Sequence, residues 1–260
     1  MSAVLCYTTD MKFAILTTTH QRPELLLRAI ESVQNQTYAD YAHYIVNDSP
    51  EYDYSEVEQV IAKDQKIVYI KNTQNSGKNA SLNTILTELQ KSTFAGYIVY
   101  LDDDDWLATD CLSDFESAIK AQPATKWFVS DRAFVSGKSI TTNKMGSNTI
   151  SYFTDYLLFK KFRGDATHCI NFPSTAFARF PIHIPNGEEW YYFLWVSKVC
   201  QKFVYIQSIG TYTNGYSADG QNAAMQKNYK RNTLLLFRER QTSQTCTYLC
   251  VRFVKTLFAK

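Results

Sequence analysis

Short apolar runs rich in β-branched and aromatic residues alternate with longer amphipathic stretches along residues 12–122. The apolar runs at 12–18, 42–48, 66–72 and 96–102 predict strands. Between and after them, apolar residues return every three or four positions, which predicts helices over 24–36, 55–64, 79–92 and 112–122. This alternation is typical of βαβ units, so the sequence predicts an α/β domain with a mostly parallel sheet flanked by helices.

Polar residues stand where the predicted strands end. Thr18 and Asp48 follow two of the strands, and the run Asp102–Asp105 in YIVYLDDDDWL follows the fourth. In open α/β sheets, ligands bind outside the carboxyl ends of the strands. Adjacent carboxylates repel one another, and hard divalent ions take carboxylate oxygens, often together with substrate phosphates. An acidic run can also be a solvated loop, but its position at a strand end favours a cation site.

Composition limits the class of protein. The chain has 260 residues, 45% of them apolar, which is enough for one large domain or two small ones. Its six cysteines form no CxxC pair, so we expect reduced thiols and no zinc site. No apolar run approaches the roughly 18 residues of a membrane span, and the N-terminus lacks a signal-peptide pattern. We therefore expect a cytoplasmic protein, with residues 1–10 as an extension outside the core.

Two common nucleotide-binding motifs are excluded. The stretch NSGKN at 75–79 contains Gly-Lys, but a P-loop would need Gly at 72 and Ser or Thr at 79, where this chain has Asn72 and Asn79. No G-x-G-x-x-G is present either. A P-loop nucleoside triphosphatase and a Rossmann dehydrogenase are therefore disfavoured. What remains is an α/β domain in which an acidic motif and a metal ion hold a diphosphate.

Four stretches carry a resemblance to a known family: FAILTTTHQRPELLLRAIESVQNQTY, IVNDSP, NSGKNASLN and YIVYLDDDDWL. In order and spacing they resemble the nucleotide-binding half of the family 2 glycosyltransferases of the GT-A fold, closely over 12–115 and less closely beyond. The resemblance implies a GT-A domain over 1–225, with a donor-binding part at 12–115 and an acceptor and catalytic part at 116–225. It also implies inverting transfer from a nucleotide sugar, usually a UDP sugar, in bacterial surface polysaccharide assembly such as capsule, O-antigen or lipooligosaccharide.

The resemblance implies roles for individual residues. The cofactor would be Mn²⁺ or Mg²⁺, with Asp104 as its main ligand and Asp102 as a second. The chain departs from the family at His20, where an aromatic is common, and at Leu82, where an arginine is common. Lys78 could replace that positive charge, although a lysine at a loop tip is more often solvated. The residues implied for donor binding are Thr18, His20, Arg22, Asp48, Lys78, Asp102 and Asp103.

Inverting members of the family also need a carboxylate that deprotonates the acceptor hydroxyl. In IPNGEEWYYFLWVSKV, the residues Glu188, Glu189 and Trp190 resemble the family's Glu-Asp-Trp arrangement, in which the second acid is the base. Glu189 is therefore the predicted base, with Glu188 and Trp190 near the acceptor. Two acids in a first helical turn can also simply favour the helix dipole, by about 0.3–1 kcal/mol each. His168 could contact the acceptor or the diphosphate, although a lone histidine is more often structural.

Residues 226–260 differ in charge from the rest of the chain, with eight Lys or Arg and one Glu. They mix cationic with apolar residues in two predicted helices. Basic amphipathic segments lie on anionic membrane surfaces. We therefore expect peripheral association with the inner face of the cytoplasmic membrane, which would suit a lipid-linked glycan acceptor. A packing helix with a basic outer face and an oligomer contact are the alternatives. No DNA or RNA motif is present, so nucleic acid is not an expected partner.

Two other functions fit the same sequence. A metal-dependent nucleotidyltransferase also combines an α/β sheet with aspartates, but it releases pyrophosphate from a nucleoside triphosphate. A non-catalytic subunit could keep the nucleotide-sugar site without turnover. The released product separates these alternatives from a glycosyltransferase, which releases a nucleoside diphosphate.

Overall fold

The computed structural model describes residues 12–184, 186–215, 227–239 and 241–258. The predicted extension at 1–10 lies outside the described residues. In chain order, the elements are β1 (Phe13–Thr19), α1 (Pro23–Gln34), β2 (Tyr41–Asn47), α2 (Ser55–Ile61), β3 (Ile67–Lys71), α3 (Lys78–Lys91), β4 (Tyr97–Tyr100), β5 (Asp105–Leu107), α4 (Cys111–Ala121), β6 (Trp127–Phe134), β7 (Thr142–Asn143), β8 (Thr149–Ser151), a π-helical segment (Tyr152–Leu158), β9 (Phe162–Arg163), β10 (Ala166–Asn171), α5 (Phe172–Thr175), α6 (Trp190–Cys200), β11 (Lys202–Thr213), α7 (Tyr229–Leu236) and α8 (Ser243–Phe258).

In the described part of the chain, nine strands form one sheet in the order β3-β2-β1-β4-β10-β6-β11-β5, and β8 also pairs with β11. The first four are parallel neighbours. The strand β10 is antiparallel to both β4 and β6, so β6 and its parallel neighbour β11 run in the same direction as the first four. The prediction of a mostly parallel α/β sheet is confirmed, and the four predicted strands and four predicted helices of residues 12–122 are present with ends shifted by a few residues.

The sheet is covered on both faces because side chains of its central strand alternate between them. Phe13 and Ile15 of β1 pack in a buried cluster with side chains of α1 and α4. Ala14 and Leu16 pack in a second cluster with side chains of α3 and α6. Each fully buried Leu, Ile or Phe stabilises the fold by about 1.5–3 kcal/mol. The two clusters fix β1 at the centre, and therefore fix the loops at its carboxyl end.

The two helices predicted in the basic C-terminal segment are present as α7 and α8. They are packed rather than detached, since Leu236 of α7 and Leu249 of α8 are fully buried in the same cluster as α6. The predicted boundary at 225/226 stays a prediction, but the two sides of it are in contact. Within the described ranges, no helix has the length and apolar character needed to cross a membrane.

Candidate active site

The four consecutive aspartates form a tight turn between β4 and β5, in which the Asp105 amide donates to the carbonyl of Asp102 (3.2 Å). Their side chains contact three different cations, and Asp103 and Asp104 share one of them. Three cations from distant parts of the chain compensate the four charges. The ion pairs are Lys78 Nζ–Asp102 Oδ1 (2.7 Å), Arg22 Nη2–Asp103 Oδ1 (2.6 Å), Arg22 Nη1–Asp104 Oδ2 (3.0 Å) and Arg132 Nη2–Asp105 Oδ2 (2.5 Å).

Three of these aspartates could hold a metal ion. Carboxylate oxygens of Asp102, Asp104 and Asp105 all lie within 4.8 Å of one another. The second oxygen of Asp105, Oδ1, is buried and makes no hydrogen bond in the described structure. A buried carboxylate oxygen without a donor, next to two further carboxylates, fits a hard divalent cation. Asp102 and Asp104 were the predicted ligands, and the structure adds Asp105.

The charge states of the aspartates depend on their neighbours. Burial would raise the pKa of Asp102, but the positive charges of Lys78 and Arg132 outweigh it and lower that pKa to about 2. Burial raises the pKa of Asp105 to about 7, against the opposing effect of Arg132. Burial likewise raises the pKa of Asp103 to about 6 despite Arg22. A bound divalent cation would favour the ionised carboxylates beside it.

Lys78 connects the acidic turn to the predicted base. Its Nζ lies 2.7 Å from Asp102 and 2.8 Å from Oε1 of Glu189. Burial would lower the pKa of Lys78, but Asp102 and Glu189 raise it above the ordinary value, so the amine stays charged. The side chain is only 16% exposed. The alternative of a solvated loop-tip lysine is therefore wrong, because Lys78 lies between the two acids.

The loop that carries Glu189 is held against the start of α3. The Lys78 amide donates to Oδ1 of Asn186 (2.9 Å). The side-chain amide of Asn79, which is fully buried, donates to the carbonyls of Pro181, Ile184 and Gly187 at 2.7–3.1 Å. Asn79 was not predicted as a site residue. It stands at the position where a P-loop would have Ser or Thr, and its role here is to clamp the base loop to the donor-side helix.

Asp48 organises the loop before α3. Its Oδ1 accepts hydrogen bonds from the Asn72 side chain (2.6 Å) and the Ser76 amide (2.8 Å), and its Oδ2 accepts from the Gly77 amide (2.7 Å). His20 contacts the same loop, with its Nε2 2.8 Å from Nδ2 of Asn75. The predicted first-loop and base-binding residues thus meet the 72–77 loop at the ends of the parallel strands.

Glu188 is buried in the wall of the cleft, where its side chain contacts α7 and α8. It has a positive φ of 61°, which is unusual for a residue with a side chain. Arg252 of α8 donates to both of its carboxylate oxygens, from Nη1 and Nη2 at 2.9 Å each. Asn232 of α7 donates to Oε1 (3.2 Å), and the indole of Trp190 donates to Oε2. The geometry makes Glu188 an anchor for α7 and α8, and Arg252 is a site residue that the sequence did not reveal.

His168 lies at the edge of the cleft. Its Nδ1 accepts a hydrogen bond from the indole of Trp127 (3.1 Å), and its ring stacks on Phe193 with centroids 4.1 Å apart. Because an indole nitrogen can only donate, Nδ1 carries no proton. Burial lowers the pKa of His168 to about 3, so the ring is neutral with its proton on Nε2. In this state it can donate a hydrogen bond, and its predicted contact with the acceptor or the diphosphate stays a prediction.

All of the sequence-predicted site residues line one cleft of about 990 Å³. This is the upper end of the usual 300–1,000 Å³ for ligand pockets, so there is room for a nucleotide sugar and part of a second substrate. Within this cleft, Lys78 contacts Asp102 of the acidic turn and also contacts Glu189. The arrangement brings three carboxylates that could hold a metal ion and the Lys78-paired carboxylate of Glu189 into the same cleft.

Comparison with known proteins identifies the class. The family model of "Glycosyl transferase family 2" matches residues 14–182. This chain belongs to glycosyl transferase family 2. Its fold is also that of S. aureus TarS in complex with UDP-GlcNAc, at a TM-score of 0.68 and 12% identity over 95% of this chain and 73% of that chain. The mannosyltransferase PcManGT from Pyrobaculum calidifontis, in complex with GDP-Man and Mn²⁺, gives a TM-score of 0.59 at 12% identity, over 97% of this chain and 77% of that one. The GT-A fold is confirmed.

The curated relatives match this chain over only part of their own length. An uncharacterized glycosyltransferase of Methanocaldococcus jannaschii is 35% identical over 95 residues, which are 35% of this chain and 31% of the relative. The GalNAc(5)-diNAcBac-PP-undecaprenol beta-1,3-glucosyltransferase of Campylobacter jejuni is 32% identical over 104 residues, 39% of this chain and 32% of the relative. The match thus spans less than a third of either relative. The family match ends at residue 182, so Glu188 and Glu189 lie outside it.

Proposed function

We propose that this chain is an inverting, metal-dependent glycosyltransferase that moves a sugar from a nucleotide sugar, a UDP sugar by preference, to a glycan or lipid-linked acceptor. The observation that carries the proposal is the bridge from Asp102 through Lys78 to Glu189, because it holds the Glu189 carboxylate beside the acidic turn in one cleft. Two solved structures of the same fold, one in complex with UDP-GlcNAc and one with GDP-Man and Mn²⁺, support the choice of donor and cofactor class.

The donor side of the cleft supplies charge and position. Asp102, Asp104 and Asp105 would hold the divalent cation, with Mn²⁺ or Mg²⁺ as the candidates. When bound, such a cation stabilises the negative charge that develops on the leaving diphosphate. Arg22 forms ion pairs with Asp103 and Asp104 and keeps these two side chains in place. Thr18, His20 and the loop held by Asp48 lie where the base and ribose would bind.

Glu189 has the chemistry required on the acceptor side. Its carboxylate would take the proton from the acceptor hydroxyl as the oxygen attacks the anomeric carbon from the face opposite the diphosphate. A new glycosidic C–O bond forms, the C–O bond to the diphosphate breaks, and the nucleoside diphosphate leaves with the electron pair. The Lys78 ammonium lies 2.8 Å from Oε1 of Glu189 and fixes the direction of this carboxylate in the cleft, as a general base requires.

The pathway and location follow as further parts of the proposal. A lipid-linked or surface glycan acceptor would place the enzyme in bacterial surface polysaccharide assembly, at the inner face of the cytoplasmic membrane. The outer side of α7 and of the two residues that follow it supports this, because Lys230, Arg231 and Arg238 are exposed there next to the apolar Leu234 and Phe237. Cations interleaved with exposed apolar side chains suit an anionic lipid surface.

Membrane binding can be measured by sedimentation of the full chain with vesicles. We expect binding to vesicles that contain phosphatidylglycerol but not to pure phosphatidylcholine, and weaker binding as salt screens the charges. The double variant Arg231→Gln and Arg238→Gln should bind less, while Lys63→Gln with Lys138→Gln, exposed lysines elsewhere, should bind like wild type. Salt-insensitive binding, or none, would point instead to a packing or oligomer role for the outer face of α7.

The metal and donor sites can be tested by thermal stabilisation. With UDP and Mn²⁺ each at about a hundred times its dissociation constant, the free energy of unfolding should rise by about 2.7 kcal/mol for the nucleotide. EDTA should abolish this gain, and so should Asp104→Asn, whose side chain is partly exposed and tolerates the change. Asp40→Asn, an exposed aspartate away from the cleft, is the matched control. Equal stabilisation of the wild-type chain by UDP with and without EDTA would refute metal dependence.

A further inference from the structure

The cations that line the cleft fall into two groups. The first group is paired with carboxylates and consists of Arg22, Lys78, Arg132 and Arg252. The second group, Lys160, Arg163 and Lys255, has no carboxylate partner among the residues that the structure describes. The first group is fully explained by the acidic turn and by Glu188. The second group consists of exposed side chains and adds positive charge to the cleft that no carboxylate among the described residues pairs with.

The unpaired cations come from two elements that meet. Lys160 lies just after the π-helical segment and Arg163 lies in β9, and Nε of Arg163 donates to the carbonyl of Lys160 (2.7 Å). Lys255 lies on α8, three residues after Arg252 and seven after Tyr248, so the three share the helix face that lines the cleft. The helix α8 packs against the π-helical segment. The three cations therefore line the cleft from α8 and from the residues that directly follow the π-helical segment, and this part of the lining is one end of the cleft.

Aromatic rings line the same end. The rings of Tyr152 and Tyr156 stack with centroids 5.0 Å apart, and Trp190 packs edge-on against Tyr248 at 4.8 Å. Asp165, an acid of this region that also lines the cleft, lies 3.6 Å from Arg132. Aromatic faces suit sugar rings or an apolar chain, and three cations suit an anion of more than one charge. A single carboxylate would compensate only part of that charge, whereas a phosphate diester chain or a diphosphate compensates most of it.

We propose that this end of the cleft is a phosphate-binding subsite for the acceptor, so that the acceptor substrate carries a phosphate or diphosphate close to the glycosylated hydroxyl. The inference rests on the proposed function, since it uses Glu189 to define the acceptor side. The name of the Campylobacter jejuni relative specifies a diphosphate-linked lipid acceptor for that protein, which is the same chemistry. A diphosphate on a prenyl lipid and a phosphate within a glycan polymer are the two sources of such a group.

The test is a pair of calorimetric titrations on the full chain. The first measures UDP with Mn²⁺, and it reports only on the donor site and the proposed function. The second measures geranyl diphosphate, inorganic pyrophosphate and the neutral alcohol geraniol, both with UDP and Mn²⁺ saturating and without them. We expect both phosphates to bind in the presence of UDP, and geraniol to bind at least about tenfold more weakly than geranyl diphosphate.

Matched variants locate the binding. Lys160→Gln with Lys255→Gln should weaken geranyl diphosphate by at least about tenfold and leave UDP within about twofold. Lys138→Gln with Lys161→Gln removes the same charge from exposed lysines that do not line the cleft, and should change neither titration. Tighter binding of geranyl diphosphate than of pyrophosphate would indicate a prenyl source, and equal binding a polymer source. Geraniol binding as tightly as its diphosphate, or unchanged binding in the cleft variant, would overturn the proposal even if UDP binds normally.

Discussion

Replacing Arg252 with glutamine should lower the melting temperature by on the order of 10 °C and abolish most of the transfer activity. The Arg252 side chain is 6% exposed and its partner Glu188 is fully buried, so the variant leaves a carboxylate in the interior with no charge partner. Breaking one side of a buried ion pair destabilises by about 3–5 kcal/mol. For a chain of this size, each kcal/mol corresponds to roughly 2–4 °C. Activity should fall because Glu188, the anchor, directly precedes Glu189.

Two further variants test whether the loss of stability comes from the Arg252–Glu188 ion pair or from any change in the C-terminal segment. Arg238→Gln removes an exposed arginine of the same segment and should melt like wild type. Glu188→Gln with Arg252→Gln removes both charges and should regain much of the stability, because no uncompensated charge stays buried. Its activity should stay low if the charged pair is what holds Glu188 at its positive φ. A single Arg252→Gln variant that melts within about 2 °C of wild type would show that the pair does not anchor the base loop.

Replacing Glu189 with glutamine should lower sugar transfer at least about a hundredfold and leave UDP binding nearly unchanged. A general base contributes about 10²–10⁴-fold in rate, and glutamine keeps the shape of the side chain while removing its basicity. The amide oxygen can still accept from Lys78, which now lies 2.8 Å from the carboxylate, so the ground-state structure should persist. The loss should therefore appear in kcat rather than in the affinity for the donor.

The neighbouring acid is not a matched control for this variant. Glu188→Gln would be a mild change if Glu188 only oriented or capped the helix. In the structure it removes the partner of a buried arginine, so its effect would combine stability and activity. Glu51→Gln is the better control, because Glu51 is exposed, does not line the cleft, and undergoes the same chemical change. It should keep wild-type turnover.

The residues of the donor half could be predicted because the patterns that reveal them are local in the sequence. Buried parallel strands appear as apolar runs, and their carboxyl ends meet at one edge of the sheet, which brings Asp48 and Asp102–Asp105 together. The turn also explains why four like charges follow one another. Lys78 pairs with Asp102, Arg132 pairs with Asp105, and Arg22 pairs with both remaining aspartates. The sequence suggested a cation site, and a divalent ion would add to compensation that the protein already provides.

The residues that the sequence did not reveal all act across long separations. Asn79 clamps a loop more than a hundred residues away, and Arg252 pairs with Glu188 across 64 positions. Hydrophobic periodicity predicts that 243–258 is an amphipathic helix, but it does not show which side chain turns inward to meet a buried acid. The basic residues of this segment, Arg252 among them, were therefore expected to face a membrane surface. The one available signal was the position of Arg252 on the apolar face of the helix, four residues after Tyr248.

The most direct measurement is the rate and stereochemistry of product formation by the full chain, with Mn²⁺, α-linked UDP sugars and methanol as a small acceptor. Product analysis by proton NMR should show a methyl β-glycoside together with UDP, formed at least about a hundredfold more slowly by the Glu189→Gln variant. Formation of the α-glycoside, turnover by Glu189→Gln at the wild-type rate, or bound UDP sugar with no release of UDP would contradict an inverting transferase with Glu189 as its base.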